Sequence, residues 1–67
     1  MLIIMQVRAT SEEVDNVVHR VESLGLKAHL SLGEERVIIG AIGEGREALE
    51  HLQEFTAMIG VDRVMPI

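Results

Sequence analysis

The sequence contains no cysteine, tryptophan or tyrosine, and it has a single phenylalanine and a single proline. Without cysteine, neither disulfides nor Cys-ligated zinc can stabilise the chain. Six Lys and Arg against eleven Asp and Glu leave a net charge of -5, so the basic surface of a nucleic acid-binding protein is lacking. Phe55 alone provides no platform on which bases could stack. The composition therefore argues against a nucleic acid partner.

Long hydrophobic runs are also absent. The longest apolar stretches, residues 1–5 and 37–43, fall far below the roughly 18 residues that a membrane-spanning helix needs. No positively charged segment precedes the first of them, as it would in a secretory signal. We therefore expect a cytoplasmic protein with no membrane partner.

The residues that are present are typical of a small globular protein. With 67 residues, of which 48% are hydrophobic and 25% charged, the chain is expected to form one domain over residues 1–67. A domain of this size buries only about 60% of the surface that its unfolded chain exposes. Its stability is then marginal, and burial against a second copy or another domain is the expected support.

Hydrophobic periodicity predicts four strands and two helices. Thr10 and Glu13 fit a capping box at the start of the first helix, and Gly25 supplies its left-handed stop. Leu26 begins a run in which apolar and polar residues alternate, the pattern of a strand with one buried face. The predicted strands are residues 1–7, 26–32, 36–42 and 61–67, with Pro66 suited to an edge, and the predicted helices lie between Thr10 and Gly25 and from about Arg46 to Phe55.

This β-α-β-β-α-β order predicts an α+β, ferredoxin-like sandwich, in which an antiparallel sheet of order 4-1-3-2 carries both helices on one face. The first and third strands are apolar on both faces, as central strands would be. Their apolar residues on the face opposite the helices would then need cover from another copy or domain. The alternative is that these large aliphatic residues reflect strand propensity alone.

The sequence offers little for catalysis or metal binding. His19 and His51 fall on different helices and His29 on a strand, and none has a second ligand at i+2 or i+4. No serine has a histidine and an acid in evident reach, and the glycines at 40, 43 and 45 lack the Lys-Ser/Thr of a phosphate-binding loop. We predict no catalytic residue, no metal and no cofactor.

His29 and Ser31 are the strongest candidates for binding a small ligand. With Lys27 they form the polar row of the second strand, on the face away from the helices. An imidazole and a hydroxyl two residues apart can offer two directed hydrogen bonds to one ligand. The alternative is an ordinary exposed strand face. Gly40, in a central strand, permits close approach of a neighbouring backbone or a ligand.

The segment from Gly25 to Gly43 carries the patterns H-x-S-x-G-x-E-R and I-I-G-x-I-G. It resembles the N-terminal ferredoxin-like domain of one group of DAHP synthases, the enzymes that open the shikimate pathway of aromatic amino acid biosynthesis. The resemblance includes the segment from Thr10 to Glu13 and weakens after Glu44. It departs from many relatives at Val37, where they have Thr, and at Glu44, where they have Asp.

The resemblance implies an allosteric regulatory domain that is not an enzyme by itself. In that family the domain binds tyrosine or phenylalanine between domains of different subunits, for feedback inhibition of a catalytic barrel. The implied partners are therefore the amino acid effector and either further copies or the barrel, which this chain does not contain. The expected ligand-binding residues are His29, Ser31, Gly33 and Gly40. A purely structural oligomerisation module and a small ferredoxin-like enzyme with a site at an oligomer interface are the alternatives.

Overall fold

The structure, a computed structural model, describes residues 1–43 and 50–66. It confirms the predicted order of elements. These are β1 (Leu2–Met5), α1 (Ser11–Ser23), β2 (Lys27–Leu32), β3 (Val37–Ile42), α2 (Leu52–Thr56) and β4 (Val61–Met65).

The four strands form one antiparallel sheet in the order β2-β3-β1-β4. Read from the other edge, this is the predicted order 4-1-3-2. The apolar strands β1 and β3 therefore lie at the centre, and β2 and β4 form the two edges. The ferredoxin-like prediction is confirmed.

Local signals at the two ends of α1 act as the sequence predicts. The Glu13 amide donates to Thr10 Oγ1 at 3.1 Å, and the Thr10 amide donates to Glu13 Oε1 at 2.8 Å. This reciprocal capping box satisfies two amides that have no partner within the helix. Beyond the last turn, Gly25 adopts a φ of +80°, a conformation that costs glycine little.

The hydrophobic core lies between the helices and one face of the sheet. Residues that pair directly across an antiparallel sheet share a face, and Ile3 pairs with Ile39 at its centre. Both are fully buried, as is Phe55 of α2. The cluster consists of Met1, Ile3, Met5, Val14, Val17, Val21, Leu26, Ile39, Ala41, Phe55 and Val61.

Some predicted boundaries differ from those of the structure. β1 ends at Met5, because the pairing with β4 shifts register after Ile4 and the Gln6 amide turns to donate to the Gly60 carbonyl at 2.7 Å. α2 ends at Thr56, one residue after the predicted end. Residues 46–49 of the predicted helix and the last residue of the predicted fourth strand lie outside the described residues.

The predicted burial of the second strand is only partly correct. The register confirms its parity, since Ala28 pairs with buried Ala41 on the helix side of the sheet. However, Leu30 and Leu32 on the same side are 51% and 80% exposed. An edge strand has a neighbouring strand on one side only, and the core is centred over β1 and β3. The buried face therefore does not extend along β2.

An ion pair on the surface joins the two helices. Arg20 Nε lies 2.6 Å from Glu54 Oε1, and His51 Nδ1 lies 2.8 Å from Glu54 Oε2. The hydrogen bond from Arg20, followed by that from His51, lowers the pKa of Glu54 below its ordinary value of 4.5. Any stabilisation from this lowered pKa is present above pH 4.5 and is lost as the pH falls through the pKa of the folded state. Exposed pairs of this kind contribute little.

Candidate functional site

The sheet face opposite the helices, here called the open face, brings together three of the four predicted binding residues. His29 pairs with Gly40 and Ser31 pairs with Ile38, so both pairs lie on this face. The pairing also settles the orientation of β3, whose even-numbered residues point away from the core. The open face consists of Leu2, Ile4, Lys27, His29, Ser31, Ile38, Gly40, Ile42, Arg63 and Met65.

Two rows of residues cross the open face. The first runs from His29 through Gly40 and Leu2 to Met65. The second runs from Ser31 through Ile38 and Ile4 to Arg63. Two residues along a strand span about 7 Å, so the His29 and Ser31 side chains can both reach one small ligand. Both residues are exposed.

Gly40 leaves space beside His29 that the fold itself does not require. A Cβ atom at this position would lie 3.6 Å from His29 Cβ and 3.9 Å from Leu2 Cδ2, which are ordinary contact distances. No backbone within the chain comes closer than the His29 carbonyl oxygen, at 3.7 Å. Gly40 is therefore not needed for a close approach of backbone within the sheet, and its contact with a ligand stays a prediction.

We expect Gly40→Ala to raise the free energy of unfolding by about 0.4–1 kcal/mol, because alanine fits this site and restricts the unfolded chain. Urea denaturation measures the change. Gly25→Ala is the matched control: its φ of +80° strains alanine, so this variant should be less stable than the parent. Destabilisation of Gly40→Ala would show that the fold needs the glycine after all.

Gly33, the fourth predicted residue, lies in the turn between β2 and β3. Its amide donates to the Arg36 carbonyl at 3.0 Å, and a Cβ would come within 2.8 Å of the same oxygen. The close approach of backbone gives this glycine a local role in the hairpin. A contact with ligand stays a prediction for Gly33.

The centre of the open face is apolar. On this face Leu2, Ile42 and Met65 are exposed, whereas Ile4 is covered by its neighbours. Small-molecule sites combine an apolar lining with a few well-placed polar groups. The open face has this composition, with the imidazole of His29 and the hydroxyl of Ser31 at one side.

Sequence reasoning missed the ion pairs on this side of the molecule. Arg63 lies on the open face, and Arg36 precedes β3; their side chains lie 3.9 Å and 3.1 Å from Asp62 Oδ2. With Lys27, these are three of the six basic residues of a chain whose net charge is -5. Asp62 offsets the charge of the two arginines, and Lys27 is the basic residue of the open face on the same strand as His29 and Ser31.

A second recess lies between the first turn of α1 and the segment before β4. It has a volume of about 550 Å³ and is lined by Thr10, Glu12, Glu13, Asn16, Ala57, Met58 and Ile59. Its two carboxylates oppose the entry of an anionic group. The recess contains none of the four residues that the sequence predicts to bind a ligand, and the open face stays the candidate site.

The remaining histidines do not join this site. His19 lies on α1, and His51 lies beside Glu54. Among residues 1–43 and 50–66, no group of three His, Asp or Glu side chains could hold a metal ion. In the same part of the chain, no helix has the length and apolar character needed to cross a membrane.

Comparison with known proteins identifies relatives of this chain. The family model for the DAHP synthase ferredoxin-like domain matches residues 1–67. The phospho-2-dehydro-3-deoxyheptonate aldolase of Thermotoga maritima is 41% identical over 46 residues, which are 69% of this chain and 14% of that protein. A crystal structure of phospho-2-dehydro-3-deoxyheptonate aldolase (DAHP synthase) from the same organism superposes with a TM-score of 0.87 at 32% identity, over 98% of this chain and 19% of that one. The chain thus spans less than a fifth of either relative.

Proposed function

Since the chain belongs to the family of DAHP synthase ferredoxin-like domains, we propose that it is an allosteric regulatory domain that binds tyrosine or phenylalanine on its open face. Binding of the amino acid would hold the domain in a position in which it inhibits the catalytic barrel of a DAHP synthase. The family match takes up all 67 residues, so no catalytic barrel lies within this chain.

The observation that carries this proposal is the row in which His29 lies directly beside Gly40. The missing side chain at Gly40 leaves room between His29 and Leu2 in which an aromatic ring can lie. The His29 imidazole and the Ser31 hydroxyl then lie within reach of the polar groups of the ligand. Lys27, at the end of the same strand, can attract its carboxylate.

The site is open, and this supports binding at an interface between domains. Sites for small molecules usually bury about 70–90% of the ligand surface. A sheet face with exposed His29 and Ser31 covers a ligand from one side only. A second surface, from another copy or from the barrel, would close the site and make its hydrogen bonds stronger by excluding water.

A purely structural oligomerisation module is the second candidate. The exposed side chains of Leu2, Ile42 and Met65 favour it, because apolar surface of this kind can be buried between subunits without any ligand. Binding of an amino acid distinguishes the two functions.

Titration with free amino acids tests the proposal. The chain has no tryptophan or tyrosine, so changes in tyrosine fluorescence report on the ligand alone. Calorimetry serves for phenylalanine. We expect saturable binding of at least one of the two, and none of leucine, which has the same charges but no ring. Absence of binding to both at about 1 mM ligand, where the binding free energy is only ~4 kcal/mol, would contradict the proposal and favour the oligomerisation module.

A further inference from the structure

The two edges of the sheet differ in how they are protected against pairing with another strand. Along β4 the pairing shifts register, the charged residues Asp62 and Arg63 lie within the strand, and Pro66 follows it. Bulges, charges and proline are the devices by which natural proteins prevent association at an edge. β4 is therefore a protected edge.

β2 lacks most of these devices. Its six residues pair with β3 without a shift of register, it contains no proline, and Lys27 is its only charged residue. Leu30 and Leu32 expose 51% and 80% of their surface on the helix side of the strand. A regular edge with exposed apolar side chains is suited to pairing with another strand.

The backbone of β2 also has groups available for such pairing. The Ala41 amide donates to the Met1 carbonyl at 2.9 Å, and the Met1 amine donates to the Ala41 carbonyl at 3.2 Å. The odd-numbered residues of β3 therefore form their hydrogen bonds with β1. Because antiparallel ladders alternate, the even-numbered residues of β3 bond to β2. Their partners on β2 are odd-numbered, which leaves the amides and carbonyls of Ala28, Leu30 and Leu32 directed away from the sheet.

We propose that a second copy of this chain pairs antiparallel along β2, so that two four-stranded sheets become one continuous sheet. The distribution of charge indicates a second copy as the occupant. Lys27 begins the strand, and Glu34 and Glu35 follow its end. In an antiparallel pair of identical strands, each Lys27 comes beside the two glutamates of the other copy, so the edge is complementary to itself.

The charges and the ladder together define the register. With the twofold axis at Ser31, each Leu30 lies opposite Leu32 of the other copy, and both leucines become covered. The two Ser31 side chains then meet on the open face as a non-hydrogen-bonded pair. This arrangement needs no ligand, and it goes beyond the proposed function by making the strand of His29 and Ser31 the contact between copies.

Sedimentation equilibrium without amino acid tests the pairing. We expect the chain to dimerise and Leu32→Lys to raise the dimer dissociation constant at least about tenfold, because it places two cations in the interface. Ile59→Lys is the matched control, since Ile59 is 81% exposed but lies away from β2. Its dissociation constant should stay within about twofold of that of the parent, a free-energy change below ~0.5 kcal/mol.

A charge exchange tests the register. Lys27→Glu alone should weaken the dimer, and combining it with Glu34→Lys and Glu35→Lys should restore it. Recovery in the triple variant requires that these residues lie side by side. Failure to recover, with the triple variant folded by circular dichroism, would overturn the proposed register.

Hydrogen exchange identifies the edge directly. The amides of Leu30 and Leu32 should exchange more slowly as the protein concentration rises, whereas those of His29 and Ser31 should not change. A monomer at about 100 µM, a dimer that Leu32→Lys does not weaken, or exchange at Leu30 that is independent of concentration would each overturn the proposal. Because no amino acid is present, this outcome is separate from that of the ligand titration.

Discussion

Replacement of Phe55 by alanine is expected to remove a large part of the stability of the fold. Phe55 is the only aromatic residue of the chain and is fully buried, so alanine would leave a cavity between α2 and the sheet. Substitutions of this kind cost about 3–5 kcal/mol. A chain of 67 residues has a total stability of roughly 3–10 kcal/mol at the usual ~0.05–0.15 kcal/mol per residue. The variant should therefore keep at most about 7 kcal/mol of stability, and it should be unfolded at room temperature where the parent lies at the lower end of this range.

Urea denaturation followed by far-ultraviolet circular dichroism measures this loss, since the chain has no tryptophan to report on folding. Ile59→Ala is the control. It also removes a large apolar side chain, but one that is 81% exposed, and it should change stability by no more than about 0.5 kcal/mol. Equal midpoints for the two variants would contradict the assignment of Phe55 to the core.

Features that depend on neighbours along the chain could be predicted from the sequence. The capping box needs only Thr10 and Glu13, three residues apart, and the end of α1 needs only Gly25. The order of strands also followed, because the apolar strands β1 and β3 fit the centre of a sheet and the others fit its edges. In these cases local propensity and the tertiary fold agree.

Features that depend on tertiary cover could not be predicted. Alternation along β2 gave the correct face for Leu30 and Leu32 but not their exposure, which depends on how far the core extends over the edge. The alternation of apolar and polar residues shows which side chains share a face of the strand, but it does not show whether another part of the protein covers that face. The same exposure now marks β2 as an edge available to a partner.

The candidate site shows the same division. The spacing of His29 and Ser31 is visible within one strand, but the pairing of His29 with Gly40 requires the register of the hairpin. The contact between Arg36 and Asp62 joins residues 26 positions apart, one just before β3 and the other on β4, and these strands are separated by β1. No periodicity in the sequence signals such a contact, and this ion pair was therefore missed.

His29→Ala is expected to weaken binding of the amino acid by about 1–3 kcal/mol, or roughly 5- to 150-fold in dissociation constant. The loss has a physical cause in the proposed site. Once a second surface covers the ligand, its polar group can no longer bond to water, and removing the imidazole leaves that group without a partner. Stability should change little, because His29 is exposed on the open face.

The contrast with His19→Ala separates recognition from a general effect of losing a histidine. His19 is also exposed, but it lies on α1, and its replacement should leave ligand affinity unchanged. Calorimetric titration of both variants, with thermal unfolding as the check on folding, gives the comparison. A selective loss in His29→Ala supports a direct hydrogen bond, since the two substitutions remove the same group from surfaces on opposite sides of the sheet. Equal losses, or no loss in a folded His29→Ala variant, would remove His29 from the site and leave an ordinary exposed strand.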